Sequence, residues 1–180
     1  MAWTKPLEYA KKFLKDTVEE AKLRIRAVRS VIGSYGDAKV CLYQVYIGTP
    51  AVAITIELLI AADVRKFILF DGCRAIHFSV KVYDPVVPIW GVREEGTSYH
   101  YLSSNVILKP NKKVSKTIEK RLRPVTRELG INLHVSSIWT TDTIFRQTRD
   151  KIKRYDSKGV LAVDMESIAL MAIAMYRMLS

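Results

Sequence analysis

The clearest hydrophobic pattern in the chain is a short, wholly apolar run at residues 160–163, which follows Gly159. A run of this kind is typical of a strand that is buried on both faces. It stops at two carboxylates, Asp164 and Glu166, and residues 168–176 are then apolar on almost every side, which predicts a buried helix. Acids at the carboxyl end of a buried strand, where a helix begins, lie where open α/β sheets bind their ligands.

Two interpretations of these acids are open at this point. In the first, Asp164 caps the helix and Glu166 is a first-turn residue that the helix dipole favours. In the second, both acids belong to a ligand site. The spacing of the two residues is compatible with both interpretations.

Two long amphipathic helices are predicted from apolar residues that recur every three or four positions. The first spans residues 6–29. The second spans residues 111–130, with Asn111 as its N-cap and Gly130 as its stop, and Pro124 should kink it.

Strand patterns lie between these two helices and after the second one. Residues 39–47 predict a buried strand, and Gly48, Thr49 and Pro50 turn it into a helix over residues 50–62, with Thr49 as the N-cap. A glycine turn followed by a helix N-terminus is a natural anion site. Further strands are predicted at residues 66–76, 82–92 and 131–139, and the two prolines of the second of these predict edge strands or irregular extended chain.

The composition indicates one globular domain over residues 1–180, because the chain is long enough for a sizeable core and 49% of it is hydrophobic. Acids interrupt the apolar runs at residues 51–62 and 159–176, and the N-terminus has no apolar signal-peptide core, so we expect a cytoplasmic protein without a membrane span. Cys41 and Cys73 lack the company that a disulfide framework or a metal site needs, and both are predicted to be buried small residues.

A formal net charge of +11 raises the question of a nucleic-acid partner. The basic residues concentrate at residues 5–29, 109–127 and 146–158, where they alternate with apolar positions and acids as on solvated helix faces. The sequence has no aromatic and basic motif for reading bases. It therefore predicts non-specific binding of polyanions at low salt and no dedicated nucleic-acid binding.

Four segments in order along the chain resemble the nucleoside phosphorylase family. Residues 163–170, Val-Asp-Met-Glu-Ser-Ile-Ala-Leu, resemble its ribose-binding motif, and residues 48–57 resemble its Gly-Gly-Pro-Ser loop and following helix. Residues 93–101, which include His100 as a candidate ligand-binding histidine, and residues 139–146 resemble two further family segments. The resemblance covers about residues 25–175 and implies an α/β fold with a mixed, twisted central sheet flanked by helices.

The resemblance also implies a nucleoside site. Glu166 would hold the ribose hydroxyls, Met165 would pack against the sugar, and Asp164 stands where the family usually has glutamate. The implied base-binding residues are Ile144, Phe145, Gln147 and Arg149. The last two have the spacing with which uridine phosphorylases read uracil, although they also fit a solvated helix face.

The residues implied for phosphate binding are Arg26, Gly48, Gly72 and Arg74. Arg26 would reach a neighbouring subunit's site, or it is a solvated helix residue. In the family the strand equivalent to residues 66–76 ends in an arginine and a Gly-Thr turn that hold phosphate. Here Leu69 replaces the arginine, Asp71 replaces a glycine, and Gly72 replaces the threonine. The guanidinium that would bind phosphate through two hydrogen bonds is therefore lost, and a negatively charged side chain is present in its turn.

The implied function is phosphorolysis of a ribonucleoside, of the uridine type, to free base and ribose 1-phosphate, with inorganic phosphate as co-substrate and no metal or other cofactor. The family shares its sites across a dimer interface, so the resemblance implies a homodimer or a hexamer. The alternative is a catalytically inactive homologue that binds nucleosides or acts as a partner subunit. Two observations favour this inactive homologue. Leu69 and Asp71 replace the family's phosphate-binding residues. The family's first glycine-rich turn, and its last strand with the acid that protonates the leaving base, are also expected to lie outside this sequence.

Overall fold

A computed structural model describes residues 4–20 and 29–179. The chain divides into two compact units, Met1–Tyr46 and Ile47–Ser180. The first unit contains helix α1 and a three-stranded antiparallel sheet in the order β1, β2, β3. Its elements are α1 (Thr4–Lys11), β1 (Lys15–Glu20), β2 (Ser30–Tyr35) and β3 (Ala38–Tyr43). A single domain over residues 1–180 stays a prediction.

The predicted helix over residues 6–29 ends at Lys11 and is wrong over residues 12–20, and residues 21–28 lie outside the described part of the chain. The chain enters strand β1 at Lys15, and Asp16 has a φ of 50°, which no α-helix contains. Pairing of Val18 with Ile32 then sets the strand, and such pairing overrides a weak three- and four-residue spacing. Arg26 lies outside the described residues.

The prediction of a buried strand at residues 39–47 is correct only in part. β3 is a strand, but its side chains are exposed or half-buried and it ends at Tyr43. Cys41 in this strand is half-buried. Cys73, in the second unit, is exposed, so the prediction that it is buried is wrong.

The second unit is built on a four-stranded mixed sheet in the order β4, β7, β6, β5. β5, β6 and β7 are parallel neighbours, and β4 runs antiparallel to β7. This sheet with its flanking helices confirms the predicted fold class. The elements are α2 (Thr49–Ala61), β4 (Arg74–Ala75), β5 (Val86–Glu94), α3 (Lys112–Glu128), β6 (His134–Thr141), α4 (Arg149–Asp156), β7 (Val160–Asp164) and α5 (Ser167–Tyr176).

Strand β5 lies at the edge of this sheet, as its prolines predicted. Its pairing with β6 is irregular between Pro88 and Trp90, because a proline has no N–H to donate to the ladder. The strand predicted at residues 66–76 is reduced to Arg74 and Ala75. The part before them has no regular secondary structure and forms no ladder with the described strands, and Ile68 and Phe70 are 74% and 80% exposed.

Helix α3 follows its prediction closely. The side chain of Asn111 accepts hydrogen bonds from the N–H groups of Lys113 and Val114, so it is the N-cap. Gly130 has a φ of +66°, the left-handed conformation that commonly ends a helix, and Pro124 lies inside the helix. No helix among the described residues is long and apolar enough to cross a membrane.

The core of the second unit lies on both faces of the sheet, which confirms the predicted buried strand β7 and buried helix α5. One cluster consists of Leu108, Ile138, Ile168, Met171 and Ala172, and the other of Trp139, Tyr155, Val160 and Val163. Helix α5 packs so closely on β5 that a Cβ at Gly91 would lie 2.2 Å from Cδ1 of Ile168. The buried apolar residues of β7 and α5 therefore fix the position of Asp164 at the end of β7 and of Glu166 at the start of α5.

Candidate functional site

Asp164 is the last residue of β7, and it supports the turn into α5. Its side chain is buried, Oδ2 accepts a 2.8 Å hydrogen bond from the N–H of Ser167, and Oδ1 accepts one of 2.5 Å from the hydroxyl of Thr140. Burial raises the pKa of Asp164, while these hydrogen bonds act in the opposite direction. Both oxygens thus have partners within the protein, as in the helix-terminus interpretation, although the N-cap position itself belongs to Glu166.

Glu166 joins the start of α5 to the start of α2. Its Oε1 accepts a 2.7 Å hydrogen bond from the N–H of Gly48, and its Oε2 accepts one of 3.0 Å from the N–H of Met165. Gly48 occupies the N-cap position of α2 with a φ of 105°, which only glycine adopts easily. The prediction that Thr49 is the N-cap is therefore wrong. The carboxylate of Glu166 is only 7% exposed and is held in place by two backbone donors.

Asp71 is the third acid at this point. One oxygen atom from each of Asp71, Asp164 and Glu166 lies within 4.8 Å of the other two. Oδ1 of Asp71 accepts a 2.7 Å hydrogen bond from the N–H of Gly72. Its Oδ2 is buried and, while Glu166 is ionised, accepts no hydrogen bond from the described residues. We call Asp71, Asp164 and Glu166 the acid site.

The carboxyl groups of the acid site lie close together, and two of them are shielded from water, so a charge on all three is unfavourable. Two carboxylates 4.8 Å apart repel each other by about 3.5 kcal/mol at an effective dielectric constant of about 20. Burial, a hydrogen bond with Asp71 and the charges of Asp71 and Asp164 raise the pKa of Glu166 to about 8, against the opposing effect of the Gly48 N–H. At neutral pH, Glu166 therefore holds a proton that it can donate to Asp71.

A divalent cation is the other group that could neutralise these carboxylates. The acid site is the cluster among the described residues whose oxygen spacing suits a metal ion. Asp164 offers little to such an ion, because Ser167 and Thr140 already donate to its two oxygens. Asp71 and Glu166 are thus the residues of the cluster that could contact a bound group.

A hydrogen-bonded network beside the acid site holds three loops together. Asp142, just after β6, accepts a 2.9 Å hydrogen bond from the hydroxyl of Thr49 and another of 2.9 Å from the N–H of Gly96. The hydroxyl of Thr97 donates to that of Thr49 at 3.0 Å. The carboxyl ends of β5 and β6 are thereby attached to the N-terminus of α2.

The segment of residues 93–101 is stabilised from within. The guanidinium of Arg93 donates to the hydroxyl of Ser98 at 2.9 Å and to the carbonyl oxygens of Leu102 and Ser103 at 2.7 and 2.6 Å, and it lies 4.0 Å from the ring centroid of Tyr99. Arg93 therefore has a structural role. His100 is exposed at the end of a short 3-10 helix, Thr97–His100, and a role for it in ligand binding stays a prediction.

The residues predicted to bind the base lie on a strongly exposed segment. Ile144 and Phe145 are 52% and 97% exposed in a second short 3-10 helix, and Arg149 is exposed at the start of α4. Arg74 of β4 donates a 3.3 Å hydrogen bond to Oε1 of Gln147. The structure thus brings together one residue predicted to bind phosphate and one predicted to bind the base.

A separate open groove of about 470 Å³ runs along the edge strand β5. Trp90, Tyr99 and Lys109 line it, and the members of the acid site do not. The groove contains none of the residues predicted to bind ribose, base or phosphate.

Comparison with known proteins identifies the class. The family model described as the phosphorylase superfamily matches residues 5–178, and the chain belongs to this superfamily. This confirms the predicted resemblance to the nucleoside phosphorylases.

The chain is similar in sequence to purine nucleoside phosphorylases and in fold to a uridine phosphorylase. Purine nucleoside phosphorylases DeoD-type from Bacillus cereus (strain B4264) and Bacillus thuringiensis (strain Al Hakam) are 26% and 25% identical to it over 155 residues, which cover 83% of this chain and 63% of each relative. The chain thus spans less than two thirds of the length of these relatives. The crystal structure of uridine phosphorylase from Vibrio fischeri ES114 complexed with 6-hydroxy-1-naphthoic acid has the same fold, with a TM-score of 0.87 and 20% identity over 98% of this chain and 70% of that chain.

Proposed function

We propose that the protein binds a ribonucleoside and that Glu166 accepts hydrogen bonds from the ribose hydroxyls. The observation that carries this proposal is the position of the Glu166 carboxylate, which two backbone N–H groups hold at the carboxyl end of a buried strand. Ligands of open α/β sheets bind at such strand ends. Membership of the phosphorylase superfamily, whose relatives include nucleoside phosphorylases, supports the same function.

The hydrogen-bonding capacity of Glu166 suits a sugar with two neighbouring hydroxyls. When Glu166 is ionised, each of its oxygens has about two acceptor positions, and the protein occupies one on each oxygen. The two hydroxyls would thus be accepted by the ionised form, and in the protonated form one of these positions becomes an O–H donor. A hydrogen bond from a hydroxyl to a carboxylate contributes about 1.5–3 kcal/mol. Met165 is half-buried, so part of its side chain is accessible to pack against the apolar face of the sugar.

The exposed aromatic ring of Phe145 and its neighbour Ile144 offer an apolar surface for a base. Gln147 provides an amide that can pair with the carbonyl and N–H groups of a pyrimidine, which favours a uridine-type ligand. In this arrangement Asp164 acts on the ligand only through the turn that it supports.

Phosphorolysis of a uridine-type ribonucleoside, to free base and ribose 1-phosphate, is the second candidate function. The contact between Arg74 and Gln147 favours it, because it places a cation beside a residue proposed to bind the base. Inorganic phosphate would be the co-substrate, and Arg74 would supply the positive charge for it, because the N–H of Gly48 already donates to Glu166. A catalytically inactive homologue would share the riboside site and lack this reaction.

The test combines equilibrium binding with an assay of base release. Uridine, inosine, adenosine and methylthioadenosine are titrated into the protein, and free base is then measured with and without 10 mM phosphate. We expect at least one riboside to bind, and Glu166→Ala to weaken its binding by about 10-fold or more. Glu128→Ala, which removes an exposed glutamate at the end of α3, should leave binding unchanged.

Each result has a definite meaning. Equal affinity of the wild-type protein and Glu166→Ala for every riboside would overturn the assignment of Glu166. Release that requires phosphate would establish phosphorolysis, and binding without any release would establish an inactive riboside-binding homologue.

A further inference from the structure

We propose that helix α3 carries a binding site for the phosphodiester backbone of duplex nucleic acid, separate from the riboside site. The inference goes beyond the proposed function and does not depend on it. It rests on the cations of α3, which share one side of the helix and are mostly without ion-pair partners. We call these residues the basic face: Lys112, Lys113, Lys116, Lys120, Arg123 and Arg127.

The basic face is a continuous sector of the helix surface. Successive residues of an α-helix are rotated by about 100°, because one turn holds about 3.6 residues. At this spacing six residues of α3 fall within a sector of about 100° that Lys112 and Lys113 bound, and all six are lysine or arginine. Each of the six is exposed. The helix therefore presents one strongly positive surface without an intervening acid.

The side of α3 that faces the protein is different. Ser115 and Thr126 are buried, and Ile118 and Leu122 are half-buried. These residues share the side of the helix that lies against strand β5. Packing on β5 thus fixes the orientation of α3 and directs the basic face towards solvent.

Most of the charge of the basic face is not neutralised within the protein. Arg123 is paired with Glu119, one turn before it, and its Nε donates to that carboxylate at 3.1 Å. The other five cations form no ion pair with any residue that the structure describes. They remain available to an external anion.

The cations of the basic face also repel one another. Like charges four residues apart destabilise a helix. Three such pairs occur in α3: Lys112 with Lys116, Lys116 with Lys120, and Arg123 with Arg127. In addition, two lysines occupy the first turn, where the helix dipole favours acids instead. A bound polyanion would relieve both effects, which is the charge complementarity expected of its binding surface.

The length and charge of the basic face fit a duplex. From Lys112 to Arg127 it is about 22 Å long, at a rise of about 1.5 Å per residue. One strand of a duplex carries a phosphate for about every 3.4 Å of axis, so about six phosphates lie along this length. The strand winds away from a straight helix at both ends, and we therefore expect about four contacts. Net charge alone predicted diffuse binding of polyanions, and the basic face gives this binding a location.

An anionic membrane is the other extended surface that carries phosphate groups. A helix that lies on a bilayer buries an apolar face at the boundary between head groups and acyl chains. The basic face contains no apolar residue, and the exposed Val125 and Leu129 lie on about the opposite side of the helix. Contacts to a phosphodiester backbone need only cations, and they do not depend on the base sequence. The composition of the basic face therefore favours nucleic acid.

Fluorescence anisotropy with a labelled DNA duplex of about 20 base pairs, at KCl concentrations of about 50, 100 and 200 mM, tests the proposal. A double-logarithmic plot of association constant against salt should have a slope of about −3.6, from about four contacts. Lys116→Glu combined with Lys120→Glu should weaken binding by about 10-fold or more at the lowest salt and make the slope shallower by about 2. Lys116→Arg combined with Lys120→Arg should bind within about threefold of the wild type, because both cations are kept.

The matched control is Lys66→Glu combined with Lys158→Glu, which changes the net charge equally at exposed positions outside α3. It should bind the duplex within about threefold of the wild type. An equal loss of affinity in the two charge-reversed variants would overturn the proposal, because net charge alone would then explain binding. No binding to the duplex at the lowest salt would overturn it as well.

Two further comparisons test the kind of partner. A second duplex of unrelated sequence should bind within about threefold of the first, and a preference of about 10-fold or more would overturn binding through the backbone alone. Tighter binding to phosphatidylserine vesicles than to the duplex, lost in Lys116→Glu with Lys120→Glu, would assign the basic face to a membrane and overturn the proposal. Riboside affinity should be the same in all these variants, so a failure here would leave the proposed function unaffected.

Discussion

Replacing Glu166 by glutamine should change how the stability of the protein depends on pH. Burial and the neighbouring Asp71 raise the pKa of Glu166 from its ordinary value of 4.5 to about 8. The folded protein therefore retains a proton that the unfolded chain releases above pH 4.5. The stabilisation is complete below pH 4.5, and it is lost as the pH rises through 8. A glutamine does not titrate, so the variant lacks this loss.

The size of the effect follows from the geometry of the acid site. The repulsion of about 3.5 kcal/mol is the lower value for one pair at an effective dielectric constant of about 20, because 4.8 Å is the greatest distance between the oxygen atoms. The N–H of Gly48 donates to ionised Glu166 and offsets about 1.5–3 kcal/mol of it, while burial of the charge adds a cost. The raised pKa corresponds to a net loss of about 2–4 kcal/mol in the wild type between pH 5 and pH 8.5.

Other contributions cancel in this comparison. Glutamine can accept from only one of the two N–H groups that Glu166 binds, which costs about 1 kcal/mol at every pH. Asp164, whose pKa burial also raises, is present in both proteins. The quantity to compare is thus the change in unfolding free energy with pH and not its absolute value.

Urea denaturation at pH 5, 6.5 and 8.5 measures this change. The wild-type protein should lose about 2–4 kcal/mol more than Glu166→Gln between the first and last of these values. Glu128→Gln, at an exposed position, should follow the wild type. Parallel curves for the wild type and Glu166→Gln would refute the reasoning about the acid site.

Three further predictions concern the scaffold and the base-binding surface. Gly91→Ala should destabilise the protein by about 1–3 kcal/mol in urea denaturation, because the new Cβ would lie 2.2 Å from Cδ1 of buried Ile168, whereas Gly96→Ala meets no atom closer than 3.8 Å and should cost less. Asp142→Ala should cost about 1–3 kcal/mol, measured in the same way, because it leaves two donors without their acceptor. Phe145→Ala should change stability by less than about 0.5 kcal/mol, since the ring is 97% exposed, but should weaken uridine binding about two- to tenfold in calorimetry. Unchanged uridine affinity in that variant would exclude a contact between Phe145 and the base.

The parts of the fold that could be predicted from the sequence are those with local signals. The glycine and apolar run before Asp164 identify β7, and the unbroken apolar segment after it identifies α5. Asn111 and Gly130 mark the two ends of α3, since capping depends on the immediate neighbours of a residue.

Elements that depend on distant partners were predicted less well. Apolar spacing favoured a helix through residues 15–20, but pairing with β2 makes this segment a strand. The alternating exposure of residues 67–70 is that of a strand, yet the described part of the chain supplies no partner for it. Hydrogen bonding between strands is a property of two segments, and a pattern in one of them does not determine it.

The candidate site shows the same division. The motif around Glu166 was visible in the sequence, and so was the replacement of a family glycine by Asp71. The sequence did not show that Asp71 lies against Glu166, 95 positions away, or that Asp142 links the loops beside it. A glycine at position 48, a lone aspartate after β6 and a threonine in the turn were the available signals, and each is common in proteins without such contacts.

The central claim is that Glu166 holds the ribose hydroxyls, and a double-mutant cycle tests it most directly. Calorimetry would give the affinities of uridine and 2′,3′-dideoxyuridine for the wild-type protein and for Glu166→Ala. The account predicts that removing the hydroxyls weakens binding to the wild type by about 10-fold or more and leaves binding to Glu166→Ala almost unchanged, which corresponds to a coupling energy of about 1.5–3 kcal/mol. The same loss of affinity in both proteins would show that the hydroxyls do not contact Glu166.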